Sequence, residues 1–159
     1  MRIVHLQLFA LLLCAGCVSA HRSVVISSAT APVQLYLEAP TRVIAPPGSA
    51  IAGNVWFDFP VRAVNTSSKV LWLHGYSLDS PFYSYSTRKT DSSRWTKGVV
   101  GYCGTGAGVH EFDPGVITLF HVSVPAQHTG RQIRVELNIY GSPTDSKPVI
   151  VRSEAALIQ

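Results

Sequence analysis

The chain has 159 residues, a formal charge of +4 with histidines neutral, 47% hydrophobic residues and only 14% charged ones. That length holds one domain of ordinary size and hardly more. A charge this mild is not the footprint of a nucleic-acid binder, and the low charged fraction fits a compact β-rich domain better than a charged helical one.

Residues 1–20 read as an export signal rather than as fold. Arg2 is the positive start, Leu8 to Leu13 form the apolar stretch, and Val18-Ser19-Ala20 place small residues where signal peptidase cuts. The stretch follows His5 and Gln7 and is too short for a spanning helix, which needs about 20 apolar residues. No later segment is apolar enough to cross a bilayer. Arg2 is the sole ionised residue in this segment, so its removal lowers the charge to +3 and leaves 139 residues, enough for a real core. The expected product is periplasmic or secreted.

A second product competes with it. Leu13-Cys14-Ala15-Gly16-Cys17 approximates a bacterial lipobox, with Cys14 where Leu is usual. Cleavage before Cys17 would leave a lipid-bearing, membrane-anchored domain. The cut after Ala20 is favoured, which discards Cys14 and Cys17. Cys103 then stands alone, without an internal disulfide or a thiolate zinc site, and is expected to be buried and unreactive.

Residues 21–32 form an N-terminal extension, and residues 33–159 the domain. Val33 to Glu38 alternates and stops before Pro40, which predicts a first strand. Ala45 to Gly48 is a turn. Ile51 to Phe59 puts Ile51, Val55, Phe57 and Phe59 on one face and Asn54 and Asp58 on the other. Residues 64–68 turn the chain. Lys69 to Tyr76 is apolar on both faces, which suggests a central strand. Phe82 to Thr87 is a further strand, 88–97 a polar basic connection, and 98–108 a glycine-rich stretch. Asp113-Pro114-Gly115 is a turn. Val116 to Val124 points Phe120, Val122 and Val124 inward and His121 and Ser123 outward. Arg131 to Ile139 alternates most clearly, and Val149 to Arg152 begins a last strand. About seven strands, each with an apolar face to bury and no convincing helix, predict an antiparallel two-sheet sandwich.

"GYCGTG", "DPG", "FHVSVP", "RQIRVELNIYG" and "VRSEA" together give the chain a pattern that resembles the second half of immunoglobulin-like domains in exported bacterial proteins, over roughly residues 50–155. The resemblance implies an immunoglobulin-like sandwich and attaches no catalytic motif. The antibody Cys–Trp–Cys arrangement is absent, because Cys103 has no partner.

Four places are candidates for chemistry. A cut after Ala20 makes His21 the N-terminus, where amine and imidazole can hold Cu(II) with a second histidine. This resembles the histidine brace of lytic polysaccharide monooxygenases and of some small periplasmic copper proteins. It lands on His21 only, since His74, His110, His121 and His128 sit in no such motif. Cys17 is the lipidation candidate. Cys103 could be a nucleophile with His110 as base, but no protease signature surrounds it, and "GYCGTGAG" lacks the Lys-Ser/Thr ending of a phosphate loop. Around residues 82–97, Tyr83, Tyr85 and Trp95 accompany Arg88, Lys89, Arg94 and Lys97, the combination that binds sugars and anionic glycans. The favoured reading is a solvated loop with Trp95 folded back on the sandwich; if the domain binds something, this loop is the best candidate surface. Glu111 and Asp113 flank a turn without the spacing of a glycosidase pair. Asn65-Thr66-Ser67 matches a glycosylation sequon.

The expectation is therefore an exported all-β binding or accessory protein of the cell envelope, more an adaptor than an enzyme. It needs no cofactor, and its partner is an envelope protein or glycan rather than nucleic acid. The alternatives are a copper protein built on His21 and a lipoprotein anchored through Cys17.

Overall fold

A computed structural model describes residues 31–48 and 53–159. The expected signal segment, Cys17, His21 and all of the extension except residues 31–32 lie outside the described residues, as does Ile51. The domain is all-β: two antiparallel sheets packed face to face, with one 3-10 turn at Ala126–His128.

The first sheet is built on β3 (Val55–Asn65). β9 (Ile117–Pro125) pairs along one edge of β3, and β1 (Val33–Leu37) and β2 (Thr41–Ile44) follow each other along the opposite edge. The second sheet is built on β10 (Arg131–Tyr140). β6 (Tyr83–Lys89) pairs with residues 131–137, and β4 (Leu71–Ser77) continues that edge at residues 139–140. β11 (Val149–Arg152) and β12 (Ala156–Leu157) take the far edge of β10. Beyond β4 lie β8 (Gly108–Phe112) and the short β5 (Ser80–Pro81); beyond β6 lies β7 (Thr96–Lys97).

The seven expected strands are β1, β3, β4, β6, β9, β10 and β11. The other five segments are short, and three of them span only two residues. One boundary was misplaced for a physical reason. Pro60 donates no backbone hydrogen bond, so a strand through it is disfavoured unless its neighbour is interrupted there. Here β3 runs through Pro60, which faces the gap between β1 and β2: Leu37 pairs with Val61, Thr41 pairs with Asp58, and the Glu38 N–H donates to the Pro60 carbonyl at 3.0 Å.

Alternation decides what is buried, because successive side chains point to opposite faces. Phe57, Phe59 and Val61 meet Phe120, Val122 and Val124 on one inner face, with Ile133, Val135, Leu137 and Ile139 opposite. On β4, Leu71 and Leu73 point inward while Trp72, His74 and Tyr76 point outward half-buried. Gly75, on β4 opposite Pro81, lets β5 come close at an irregularity in the register: a Cβ there would lie 2.5 Å from the Ser80 carbonyl oxygen.

Candidate functional site

The region predicted as a connection, 88–97, is the body of a hairpin. Arg88 and Lys89 end β6, a polar turn closes through the Ser92 N–H to Lys89 carbonyl bond (3.1 Å), and Lys97 sits on β7 opposite Ser86. Gly98 then lies directly over the Tyr85 ring. Its N–H donates to the Tyr85 carbonyl at 2.8 Å, and a Cβ would come within 2.1 Å of the ring.

This geometry divides the seven residues proposed for binding. Tyr85 is 2% exposed and belongs to the core, because strand alternation turns it inward. Tyr83 also faces inward, its ring 5.7 Å from Phe120, and burial raises its phenol pKa. Tyr85 is thus removed from the surface, and Tyr83 is left half-buried. Arg88 and Trp95 are half-buried, and Lys89, Arg94 and Lys97 are exposed.

Trp95 folds back onto the outer face of the second sheet, as the favoured reading expected, but onto cations rather than apolar groups. The guanidinium carbons of Arg88 and Arg134 lie 4.7 and 4.4 Å from its ring centroid. Both arginines stand on the outward face, Arg88 opposite Gln132 and Arg134 opposite Ser86. Arg88 Nε donates to Gln132 Oε1 at 2.7 Å. Arg134 Nη2 is 3.4 Å from Glu136 Oε1, and its buried Nε has no hydrogen-bond partner. Arg152 on β11 reaches the same Glu136 oxygen at 3.0 Å.

Sequence reasoning missed Arg134 and Arg152. The signal was present in the polar face of β10, but antiparallel pairing across 44 residues is what sets Arg134 beside Arg88. The outcome is a strongly uneven charge distribution. Seven of the thirteen Lys and Arg residues (Arg88, Lys89, Arg94, Lys97, Arg131, Arg134 and Arg152) lie on β6, β7, β10 or β11 or in the β6–β7 turn, where Asp91 and Glu136 are the acids; Lys89 and Arg131 pair with each other in the inward register at the end of the sheet.

Cys103 is exposed, which corrects the expectation of a buried thiol. The glycine-rich loop lies outside the sandwich, and its anchor is the neighbouring Tyr102. That hydroxyl accepts from the Tyr83 N–H and donates to the Tyr83 carbonyl, each at 2.7 Å, and burial raises its pKa far above the usual phenol range. Tyr76 OH donates to the Cys103 carbonyl. The Cys103 thiol faces Thr105 at 3.6 Å, and hydrogen bonds from the Thr105 backbone and then its hydroxyl lower the thiol pKa. His110, proposed as its base, is held instead 3.1 Å from the Gly75 carbonyl.

The remaining histidines diverge. His74 stacks on Tyr140 with centroids 4.3 Å apart, and His121 Nδ1 meets Asp58 Oδ2 at 2.6 Å. His128 ends the 3-10 turn, with its pKa lowered by burial and then by Arg131. Among the described residues no three His, Cys, Asp or Glu side chains converge as metal ligands would. Glu111 and Asp113 are both exposed, one on β8 and one in the turn after it.

The sequon is structural. Asn65 is fully buried, and its Nδ2 donates to the Phe112 and Lys69 carbonyls at 2.6 and 2.9 Å. A glycan on that nitrogen does not fit the folded domain.

No family model matches the chain, and no curated protein does. Among solved structures, it is similar to a Bordetella pertussis protein provisionally assigned as ApaA, at 17% identity and a TM-score of 0.43 over 80% of this chain and 94% of that one. No helix among the described residues is long and apolar enough to cross a membrane.

Proposed function

We propose that this domain is an exported binding module, and that it engages a negatively charged partner through the outer face of β6, β7, β10 and β11. The observation that supports this most is that Arg88, Arg134, Lys97 and Arg152 share the outward face, with Arg94 in the adjoining turn, against Glu136 on that face and Asp91 in the turn. Oppositely charged partners are steered toward such a surface and held there by potentials that distant single charges do not produce. Rigid strands and a short hairpin present the charges, as expected where a sandwich supports a binding loop. The immunoglobulin-like character and the export route belong to the same reading, supported by the face-to-face antiparallel sheets and by residues 1–20.

The test is a paired charge reversal. Arg88→Glu with Lys97→Glu changes the charge as much as Arg42→Glu with Lys69→Glu, and Arg42 and Lys69 are exposed but away from this face. The first pair is expected to abolish retention on a carboxylate-bearing matrix at moderate salt, and the second to weaken it only slightly. Equal effects would reduce the binding to net charge and overturn the reading.

A further inference from the structure

From the Arg88–Trp95–Arg134 stack, we infer that the partner is an acidic polysaccharide, whose carboxylate or sulfate groups these two guanidiniums take edge-on. This rests on the binding-module reading and names its ligand.

A guanidinium stacked on an aromatic face keeps its plane fixed while its N–H groups point outward along its edge. That is the form in which arginine recognises planar oxyanions bidentately. Two such groups stand on neighbouring strands here and share one aromatic platform. Arg88 spends Nε on Gln132, so the hydrogen bond that orients it leaves its terminal nitrogens outward-capable. Arg134 directs Nη2 toward Glu136 Oε1 at 3.4 Å, which fixes its plane beside Arg88 while its Nε is buried under the stack. Lys97 extends the row past Ser86, and Arg152 continues it on the other side of Glu136.

The surroundings favour a glycan over other acids. Ser84, Gln132 and Asn138 lie on the outward face beside the cations, with amide and hydroxyl groups suited to sugar hydroxyls. A protein partner calls for an apolar centre in its interface. Exposed Ile150 on β11 and Leu157 on β12 lie on strands along the far edge of β10, whereas β6, β7 and the turn between them, where the stack sits, carry no exposed large apolar residue. A lipid surface calls for apolar insertion, for which Val99, 93% exposed just beyond β7, is the nearest group.

Trp95 is a positioning residue in this scheme. Trp95→Ala removes no charge, so it is expected to weaken binding about tenfold, the loss of two stacked cations, while the dependence of affinity on salt stays the same. Trp95→Phe should recover most of the loss. Lys97→Gln, at an exposed site that cannot disturb folding, should lower the salt slope by about one unit, one phosphate-like contact's worth of released counterion. Arg88→Gln with Arg134→Gln should abolish binding.

The experiment is isothermal titration of the folded domain and these variants with polygalacturonate and heparin fragments. Dextran, poly-L-glutamate and mixed phosphatidylcholine–phosphatidylglycerol vesicles serve as comparison probes. Binding of an acidic polysaccharide, with none to dextran and much weaker binding to polyglutamate and vesicles, is the expected result. Polyglutamate or vesicles binding as tightly would overturn the ligand class while leaving the face intact. Acidic polysaccharide binding that survives Arg88→Gln with Arg134→Gln would overturn the stack as its site. No binding to any polyanion would overturn both this inference and the module reading.

Discussion

Replacing Asn65 with alanine tests how the two halves of the domain are tied. Asn65 ends β3, and its side chain reaches two other turns. Nδ2 donates to Phe112 at the end of β8 and to Lys69 at the entry to β4, while Oδ1 accepts from the Ser67 N–H and hydroxyl at 3.0 and 2.7 Å. Its backbone joins the same junction, receiving the Gly115 N–H at 2.8 Å and donating to Val116. In the alanine variant the Phe112 carbonyl is stranded in the interior, at a cost of about 1–3 kcal/mol. The lost turn bonds add roughly 1 kcal/mol more, since a hydrogen bond is worth about that in net stability. The total, on the order of 3 kcal/mol, is a large share of the 5–15 kcal/mol typical of a domain. Asn65→Asp keeps the volume but aims a carboxylate at two carbonyl oxygens, so it should destabilise at least as much. Urea unfolding followed by circular dichroism measures both. An alanine variant within 1 kcal/mol of the parent, or an aspartate variant as stable as it, would refute this role.

Gly98→Ala forces a methyl into the Tyr85 ring, which is buried and has no room to swing away. A loss of about 1–3 kcal/mol is expected, read as a lowered thermal midpoint. Cys103 should alkylate rapidly in the native state, with its rate rising through a midpoint below that of a free cysteine because the lowered pKa makes thiolate available at lower pH. Thr105→Val removes the hydroxyl contribution and should move that midpoint up, whereas slow labelling would return Cys103 to the interior. On the export reading, the intact mass of the natively produced protein should correspond to a chain that begins at His21. A lipid-modified Cys17 would establish the anchored product instead and remove any terminal histidine for copper.

The two-sheet sandwich could be read from alternation, since β9 and β10 announce their inner faces residue by residue. What alternation does not contain is which strands become neighbours. Arg134 and Arg88 are unremarkable in sequence, and only the β6–β10 register makes them one stack under Trp95. The same limit explains Tyr85, grouped by proximity in sequence with basic residues from which its strand position separates it. Cys103 was misjudged because composition favours buried cysteines, whereas the loop that holds it is anchored by Tyr102. Asn65 carried a sequon pattern, and nothing local reveals that its amide is committed to Phe112, 47 residues away. β7 is too short to show a repeat, and β2 and β8 escape periodicity because their residues are mostly exposed or half-buried and show no alternating apolar face.

The most direct test is a backbone and indole amide titration by nuclear magnetic resonance with a short acidic oligosaccharide. Signals of Ser86, Arg88, Trp95, Lys97 and Arg134 should shift together and saturate, with the Trp95 indole among the largest. Shifts confined to the opposite sheet, or to the cleft of about 320 Å3 lined by Asn54, Trp56, Pro125 and Gln127, would contradict the assignment of this face.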